Sequence, residues 1–509
     1  MIKGFHIAAG KIVTSDNKCG DTFDFLLSQA MPLNGVYHLN YAVANLVKMM
    51  GLTPAESKAF IAGRYKYKGK SIRYAPGKHL SIGLTTFADM HQYHEEELWR
   101  ADPDNRHLEL ARRAYECAGD VYSALTSCGL HPKTLTSPIR AFQNEVLNQL
   151  DLPTVDDLPF EVGRTAYTVC KGGWLEAYKI GHFAETWDYD LCSAYPSEIY
   201  NLLDIRQGTW MKSPEYRDAE YGFAEGIVNV DADITPILYA KGQFRGDRQN
   251  YTPVGVRKDV LTRQQIDYLT ETNSGEIEIS NGYWWNPDKK VYPYRRIINS
   301  LFEHKEKNTG LRRTIIKRIP NGLYGKMLER FKDRRGDKVG QLFNPVYGAL
   351  TESNTRLKVA RFANKYKDNV LHIAVDGILL NKQVTEGLSD DLGAWRLSHS
   401  GGAYVVGAGA VAIESKTGRG DFSLSYDWLK KQIAVNPQAD DYVMTKPSPI
   451  TLAVAVNNDD YSQLGTLQET TRGIGLTFEM KRFYPFMPQS GSELEGNVFD
   501  SFPLDVMMC

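Results

Sequence analysis

Two aspartates near the middle of the chain constrain its folding more than any other feature. They lie in the stretch Glu185-Thr-Trp-Asp-Tyr-Asp-Leu-Cys-Ser-Ala-Tyr-Pro-Ser-Glu-Ile199. Thr186 to Leu191 is rich in aromatic and β-compatible side chains and predicts a strand. Pro196 suits the first turn of a helix, because its missing N–H would be unpaired there anyway. Ser197 to Leu203 predicts that helix. Asp190 then stands where a strand ends and the chain turns, a place where a carboxylate can face a cleft. For this segment alone, an Asx-type turn closing a strand explains Asp190 equally well.

A second carboxylate is marked by a turn. Leu371 to Asn381 is apolar on both sides of Asp376-Gly377, which is a hairpin signal. A hairpin tip can bring Asp376 up beside Asp190. Two carboxylates converging on one point repel unless cations sit between them, and Mg²⁺ prefers carboxylate and phosphate oxygens. A plain Asp-Gly turn accounts for this segment by itself.

Tyr292 to Lys307 predicts a helix, Asn308-Thr-Gly310 a turn, and Leu311 onward a second helix packed antiparallel to the first. On the second helix Arg313, Lys317, Asn321 and Tyr324 share one face, and Ile315, Ile316, Ile319 and Leu323 occupy the other. A cationic stripe on a helix anchored by isoleucines suits a triphosphate, though a solvated amphipathic helix shows the same pattern. Lys305 can join that face across the turn. Pro320 removes a backbone hydrogen bond, so a kink or an end is expected there.

The net charge of −1 conceals a strong local bias. Residues 289 to 338 hold sixteen Lys or Arg against five Asp or Glu, an excess of eleven positive charges that suits phosphate contacts. The 42% hydrophobic and 24% charged content of the 509 residues is ordinary for a globular chain of two to four domains. No run of 18 apolar residues and no signal-peptide layout occurs, which predicts a cytoplasmic protein without membrane contact. The six cysteines form no Cys-x-x-Cys pair, which argues against a zinc site and a disulfide framework.

Asp190-Leu-Cys-Ser-Ala-Tyr-Pro-Ser197, Lys317-Arg-Ile-Pro-Asn-Gly-Leu-Tyr-Gly325 and Ile373-Ala-Val-Asp-Gly-Ile378 resemble, in this order, the three polymerase motifs of family-B DNA polymerases. The resemblance covers roughly residues 165 to 485 well and the first 130 only faintly. It implies an α/β (α+β) right-hand fold with palm, fingers and thumb, preceded by an RNase H-like exonuclease-type domain. The expected divisions are 1–130 for that domain, 131–165 for a proline-rich linker, and 166–290 and 336–400 for the palm. Residues 291–335 would form the fingers and 401–509 the thumb and C-terminal region.

The resemblance further implies a phage or mobile-element enzyme of a prokaryotic host cell, extending primer–template DNA with dNTPs. Two Mg²⁺ ions, for which Mn²⁺ can substitute, would be held by Asp190, Asp376 and the backbone of Leu191. Ser193, Tyr195, Lys305, Arg313, Lys317, Asn321 and Tyr324 would bind the incoming nucleotide. Gly172 and Gly173, in Cys170-Lys-Gly-Gly-Trp174, resemble a template-contacting Tyr-x-Gly-Gly element with Cys170 in place of the tyrosine; a glycine-rich β turn is an equal reading. Tyr404, Lys416, Arg419, Lys481 and Arg482 are further candidates for gripping duplex.

Several positions depart from the family pattern. Ala374-Val-Asp376 stands where the family has Asp-x-Asp, and Gly402-Ala-Tyr404 where protein-primed members have Lys-x-Tyr. Only 48 residues separate Gly325 from Ala374, so the long insertion of those members is not expected. In the N-terminal domain the opening strand contains no Asp-x-Glu, and Ala42 stands where a second aspartate is expected. Of that site only Asp120 has a counterpart. One carboxylate cannot hold a two-metal site, which predicts a degenerate exonuclease without proofreading. A catalytically silent scaffold that binds primer–template, and a polymerase that makes RNA primers or starts without one, remain alternatives.

Overall fold

The computed structural model describes residues 1–93, 104–241, 249–333, 336–416, 424–476 and 480–508. The N-terminal unit is built on an eight-stranded mixed sheet whose centre is three parallel strands, β1 (Ile2–Ala8), β2 (Leu33–Val36) and β3 (Thr85–Asp89). Ile7 to Thr14 predicts one strand, but the chain reverses at Ala9-Gly10, both with positive φ, and Lys11–Thr14 pairs back on β1. Ile72 to Ile82 likewise becomes a hairpin of Lys70–Ala75 and His79–Ile82. Helices α1 (Leu39–Met49) and α2 (His107–Ser127) cover the sheet, as their apolar spacing predicts. Two glycines set how closely α2 lies. A Cβ on Gly4 would come 2.2 Å from the Ala111 carbonyl oxygen, and one on Gly35 would come 2.8 Å from that of Ala114.

Residues 131–165 are not a free linker. Pro138 and Pro159 begin helices instead of breaking chain: Pro138–Glu145 follows a Ser137 cap, and Phe160–Val169 follows Pro159. Phe142, Leu147, Leu152 and Val162 are buried in one apolar cluster that also takes in Leu110 and Val121 of α2 and Ile315 and Ile319 of the basic helix. The segment is therefore part of the core that joins the N-terminal unit to the rest.

A seven-stranded antiparallel sheet forms the floor of the central unit. Its strands include β4 (Leu175–Ala177), β5 (Lys179–Leu191), β6 (Val370–Ala374), β7 (Gly377–Leu380), β8 (Trp395–Gly407) and β9 (Ala410–Ile413), in the order β9-β8-β5-β7-β6-β4, with Val498–Asp500 also on β5. Helix α3 (Ala194–Tyr200) leaves the end of β5, and α6 (Pro345–Lys365) runs buried beneath it. Between them α4 (Arg295–Glu306) and α5 (Gly310–Met327) form the antiparallel basic pair. A four-stranded sheet from residues 208 to 287 flanks this unit.

The C-terminal region returns to the beginning of the chain. Leu452, Ala455 and Leu464 join the core of the N-terminal unit, and the Asn45 amide donates to the Gly465 carbonyl. Among the described residues no helix is long and apolar enough to cross a membrane.

Candidate active site

Asp190 and Asp376 meet because β5 and β7 are neighbours, with Asp190 opposite Gly377. The β6–β7 turn is centred on Val375-Asp376, one residue earlier than the Asp376-Gly377 turn predicted, and Gly377 takes a place in the ladder. Val375 has φ 60°, a left-handed conformation costly for a β-branched residue. Its amide donates to the Trp174 carbonyl at 2.6 Å, and a Cβ on Gly173 would lie 2.8 Å from its Cγ2. Gly173 is thus needed for the strained turn to pack, and Gly172, at φ 91°, for the bend before it. The Leu191 amide donates to the Asp376 carbonyl at 2.9 Å, tying the strand end to the turn.

The electrostatics of this corner are those of crowded carboxylates. Burial, followed by the charge of Asp190, holds the Asp376 carboxyl above the usual range, and Lys317 opposes the shift. Asp190 is gripped by Arg396 of β8, whose Nε and Nη2 donate to its two oxygens at 3.1 Å each. Asp188, two residues earlier on the same strand face, is buried and bound by Lys416 at 2.7 Å and His399 at 3.4 Å. Sequence reasoning noted Asp188 only as the first of the two aspartates in Glu185–Ile199 and gave it no role, and it missed Arg396. The period of two along a strand could have found Asp188; nothing local points to Arg396.

Among the described residues no group of three or more His, Cys, Asp or Glu could hold a metal ion. A divalent cation here would rest on Asp190 and Asp376, with other oxygens supplied by backbone and substrate. The donor set fits such an ion. Asp376 is held towards its protonated form partly by a neighbouring carboxylate, and Asp190 already attracts a cationic side chain into its open face.

The basic helices face this corner. Lys305 is buried, with its ammonium 3.2 Å from Ser193 Oγ and 3.0 Å from Glu306. Arg313 reaches back to the same Glu306 through both terminal nitrogens, at 3.0 and 2.9 Å. Ile315, Ile316, Ile319 and Leu323 are buried as predicted, and Asn321 is exposed. Of the kink or end expected at Pro320, the end is not found: α5 continues to Met327, with Pro320 itself buried in the core. Packing of the apolar face outweighs one lost hydrogen bond.

Ser193 caps α3 in a left-handed conformation, φ 54°, and the helix starts at Ala194, three residues before the predicted Ser197. Tyr195 is therefore helical, whereas the residue before a proline is expected to be extended. Its direction is fixed instead by Tyr324, whose ring centroid lies 4.4 Å away. The Tyr324 hydroxyl donates to Glu352 of α6, another residue that sequence reasoning missed.

The proposed duplex contacts are not brought together. Tyr404 is fully buried, its ring stacked on His182 and its hydroxyl bonded to Glu495, because β8 is covered on both faces there. Arg482 is likewise buried, paired with Asp233 and lying 4.2 Å over the Tyr178 ring. Neither can touch DNA in this arrangement. Lys416 serves Asp188, Lys481 is half-buried, and Arg419 lies outside the described residues.

Residues 164–331 match the family of DNA polymerase type B, organellar and viral. No curated protein matches the chain by sequence. Among solved structures the fold is similar to Phi29 DNA polymerase in its orthorhombic crystal form, with a TM-score of 0.62 at 12% identity over 93% of this chain and 99% of that one. It is equally similar to Phi29 DNA polymerase complexed with primer-template DNA and incoming nucleotide substrates, at a TM-score of 0.61, 12% identity and the same coverage of 93% and 99%.

Proposed function

We propose that the chain, whose residues 164–331 match the family of DNA polymerase type B, organellar and viral, is a polymerase of that kind that extends a primer on a DNA template with dNTPs, at a site built on Asp190 and Asp376. The observation that carries this reading is the convergence of those two carboxylates, from a strand end and a hairpin tip, opposite the cations of α4 and α5. Asp190 and Asp376 would hold two Mg²⁺ ions, or Mn²⁺ in their place. Bound there, the ions supply charge stabilisation for in-line attack of a primer 3′-hydroxyl on the α-phosphate. Lys305, Arg313 and Lys317 bind and orient the triphosphate, and Asn321 and Tyr324 flank the nascent base pair. Tyr195 sits beneath the sugar and leaves no room for a 2′-hydroxyl.

Residues 166–290 and 336–400 then serve as palm, 291–335 as fingers, and 401–509 as thumb and C-terminal region. The N-terminal unit acts as scaffold without proofreading. Two observations support that: Ala42 is fully buried in apolar core, and Asp120 is committed to Arg312 of α5 at 3.0 Å. Metal-dependent shortening of a mismatched 3′ end that disappears in Asp120→Ala would overturn it.

A labelled primer–template with Mg²⁺ and either dNTPs or NTPs tests the main reading. Extension with dNTPs is expected, and Tyr195→Ala should selectively raise kcat/KM for ribonucleotides. Preference for NTPs would make the chain a primer-making enzyme. The hold of Arg396 on Asp190 favours one other reading, a silent scaffold that binds primer–template; absence of any extension together with retained primer–template binding would support it.

A further inference from the structure

The carboxylate of Glu352 lies at the meeting point of three elements, with its side chain 3% exposed. Its Oε1 accepts the Tyr324 hydroxyl from α5. Its Oε2 accepts the Gly172 amide at 3.0 Å and lies 3.2 Å from Nη1 of Arg356, one turn along α6. Arg356 closes the ring by donating to the Gly172 carbonyl at 2.7 Å. A buried carboxylate is costly unless its lone pairs are satisfied, and here an arginine, an amide and a phenol satisfy them. Such a group holds its partners in fixed places.

The partner that matters is Tyr324. Its ring lies against Tyr195, centroids 4.4 Å apart and planes inclined by 44°. Tyr195 is half-buried at the first turn of α3, next to the end of β5 that carries Asp190. An aromatic ring rejects an extra hydroxyl only while it cannot swing aside. The backbone of Tyr195 is set by α3, and Tyr324 packs directly against its ring. Tyr324 is in turn anchored to α6, a 21-residue helix buried along most of its length.

Resting on the polymerase reading above, we propose that Glu352 is a positioning residue for sugar selection: through the Tyr324 hydroxyl it holds Tyr195 in place and sharpens rejection of ribonucleotides. The same carboxylate couples that pocket to the Gly172-Gly173 bend, which packs on the turn carrying Asp376.

The test is the ratio of kcat/KM for matched dNTP and NTP pairs on one primer–template. Wild type, Tyr195→Ala, Tyr324→Phe, Glu352→Gln and the Tyr324→Phe/Glu352→Gln double variant are compared. Tyr324→Phe keeps the ring and the Glu352–Arg356 pair and removes only the phenol hydrogen bond, so it remains informative if Glu352→Gln fails to fold. Both single variants should lower the ratio about 5- to 10-fold, the size of one hydrogen bond, and the double variant should lower it no further than the larger single effect. An unchanged ratio in Tyr324→Phe, a uniform loss of kcat for both sugars, or additive losses would overturn the proposal. If Tyr195→Ala relaxes the ratio while Tyr324→Phe does not, the gate stands and the role of Glu352 falls. If Tyr195→Ala leaves the ratio unchanged, both fall.

Discussion

Arg396 occupies the open face of Asp190, so a cation that enters there must displace it. Two N–H donors reach the two carboxylate oxygens at 3.1 Å, longer than the 2.7–2.9 Å usual for charge-assisted bonds. The side chains are 29% and 25% exposed, which places the pair between a surface ion pair and a buried one. Its worth is therefore about 1–2 kcal/mol, above an exposed pair and below a fully buried one. Glutamine at position 396 keeps much of the volume and removes the charge. Arg396→Gln should then tighten Mn²⁺ binding to the nucleotide-free protein about 5- to 30-fold, since about 1.4 kcal/mol is a factor of ten. Free Mn²⁺ measured by electron paramagnetic resonance reads this without any turnover. The same variant should be less stable than wild type without metal and should recover the difference as Mn²⁺ is added. In an Asp190→Asn background, Arg396→Gln should have no effect on Mn²⁺. An unchanged or weaker affinity in Arg396→Gln would refute the competition and remove Asp190 as the point of entry.

Asp190→Ala and Asp376→Ala should each cut primer extension by more than about a hundredfold while leaving primer–template affinity at fixed salt nearly unchanged, because phosphate contacts supply most of that affinity. Extension assays and fluorescence anisotropy on the same preparations check the pair. Lys317→Ala should raise the apparent KM for dNTP and lower kcat, whereas a loss of DNA affinity with unchanged nucleotide dependence would place Lys317 on the duplex. Burial pushes the pKa of His372 down to about 4, below the value near 6.5 expected in the unfolded chain. The unfolded state then binds more protons between those values, so stability is full above pH 6.5 and falls by about 3 kcal/mol as pH drops towards 4. Urea unfolding at pH 7 and pH 4.5 should show a smaller difference in His372→Phe than in wild type.

The features legible in the sequence are those whose signal is local. A strand end, a hairpin and a helix face each announce themselves over about ten residues, and these carried Asp190, Asp376, Lys305, Arg313 and Lys317 to the right elements. Even so, local rules misplaced detail where tertiary packing outweighed them. Pro320 lies inside α5 because the apolar face on either side of it is buried, and Pro138 and Pro159 open helices that complete a core. Tyr404 carried a warning that was readable. Ala403-Tyr-Val-Val406 is apolar without alternation, the mark of a strand covered on both faces, and a ring in such a run does not reach DNA.

What could not be read is the set of partners that hold or neutralise the readable groups. Arg396 lies 206 residues from Asp190, Lys416 lies 228 from Asp188, and Glu352 lies 180 from Gly172. No periodicity or turn rule links positions so far apart; only the sheet order β9-β8-β5-β7 and the passage of α6 bring them together. This division has a functional consequence. In the proposed reaction Asp190 and Asp376 supply the charge that phosphoryl transfer needs, so changing them should affect whether the reaction runs. On the readings proposed above, Arg396 acts through Asp190 and Glu352 through Tyr324, so changing them should affect when a cation enters and which sugar is accepted. The departure at Ala374 sharpens the point. With a carboxylate fewer in the turn, the balance of charge at this corner depends on cations from β8 and the chain after β9, which makes cation affinity the property most open to adjustment by substitution far from the two aspartates.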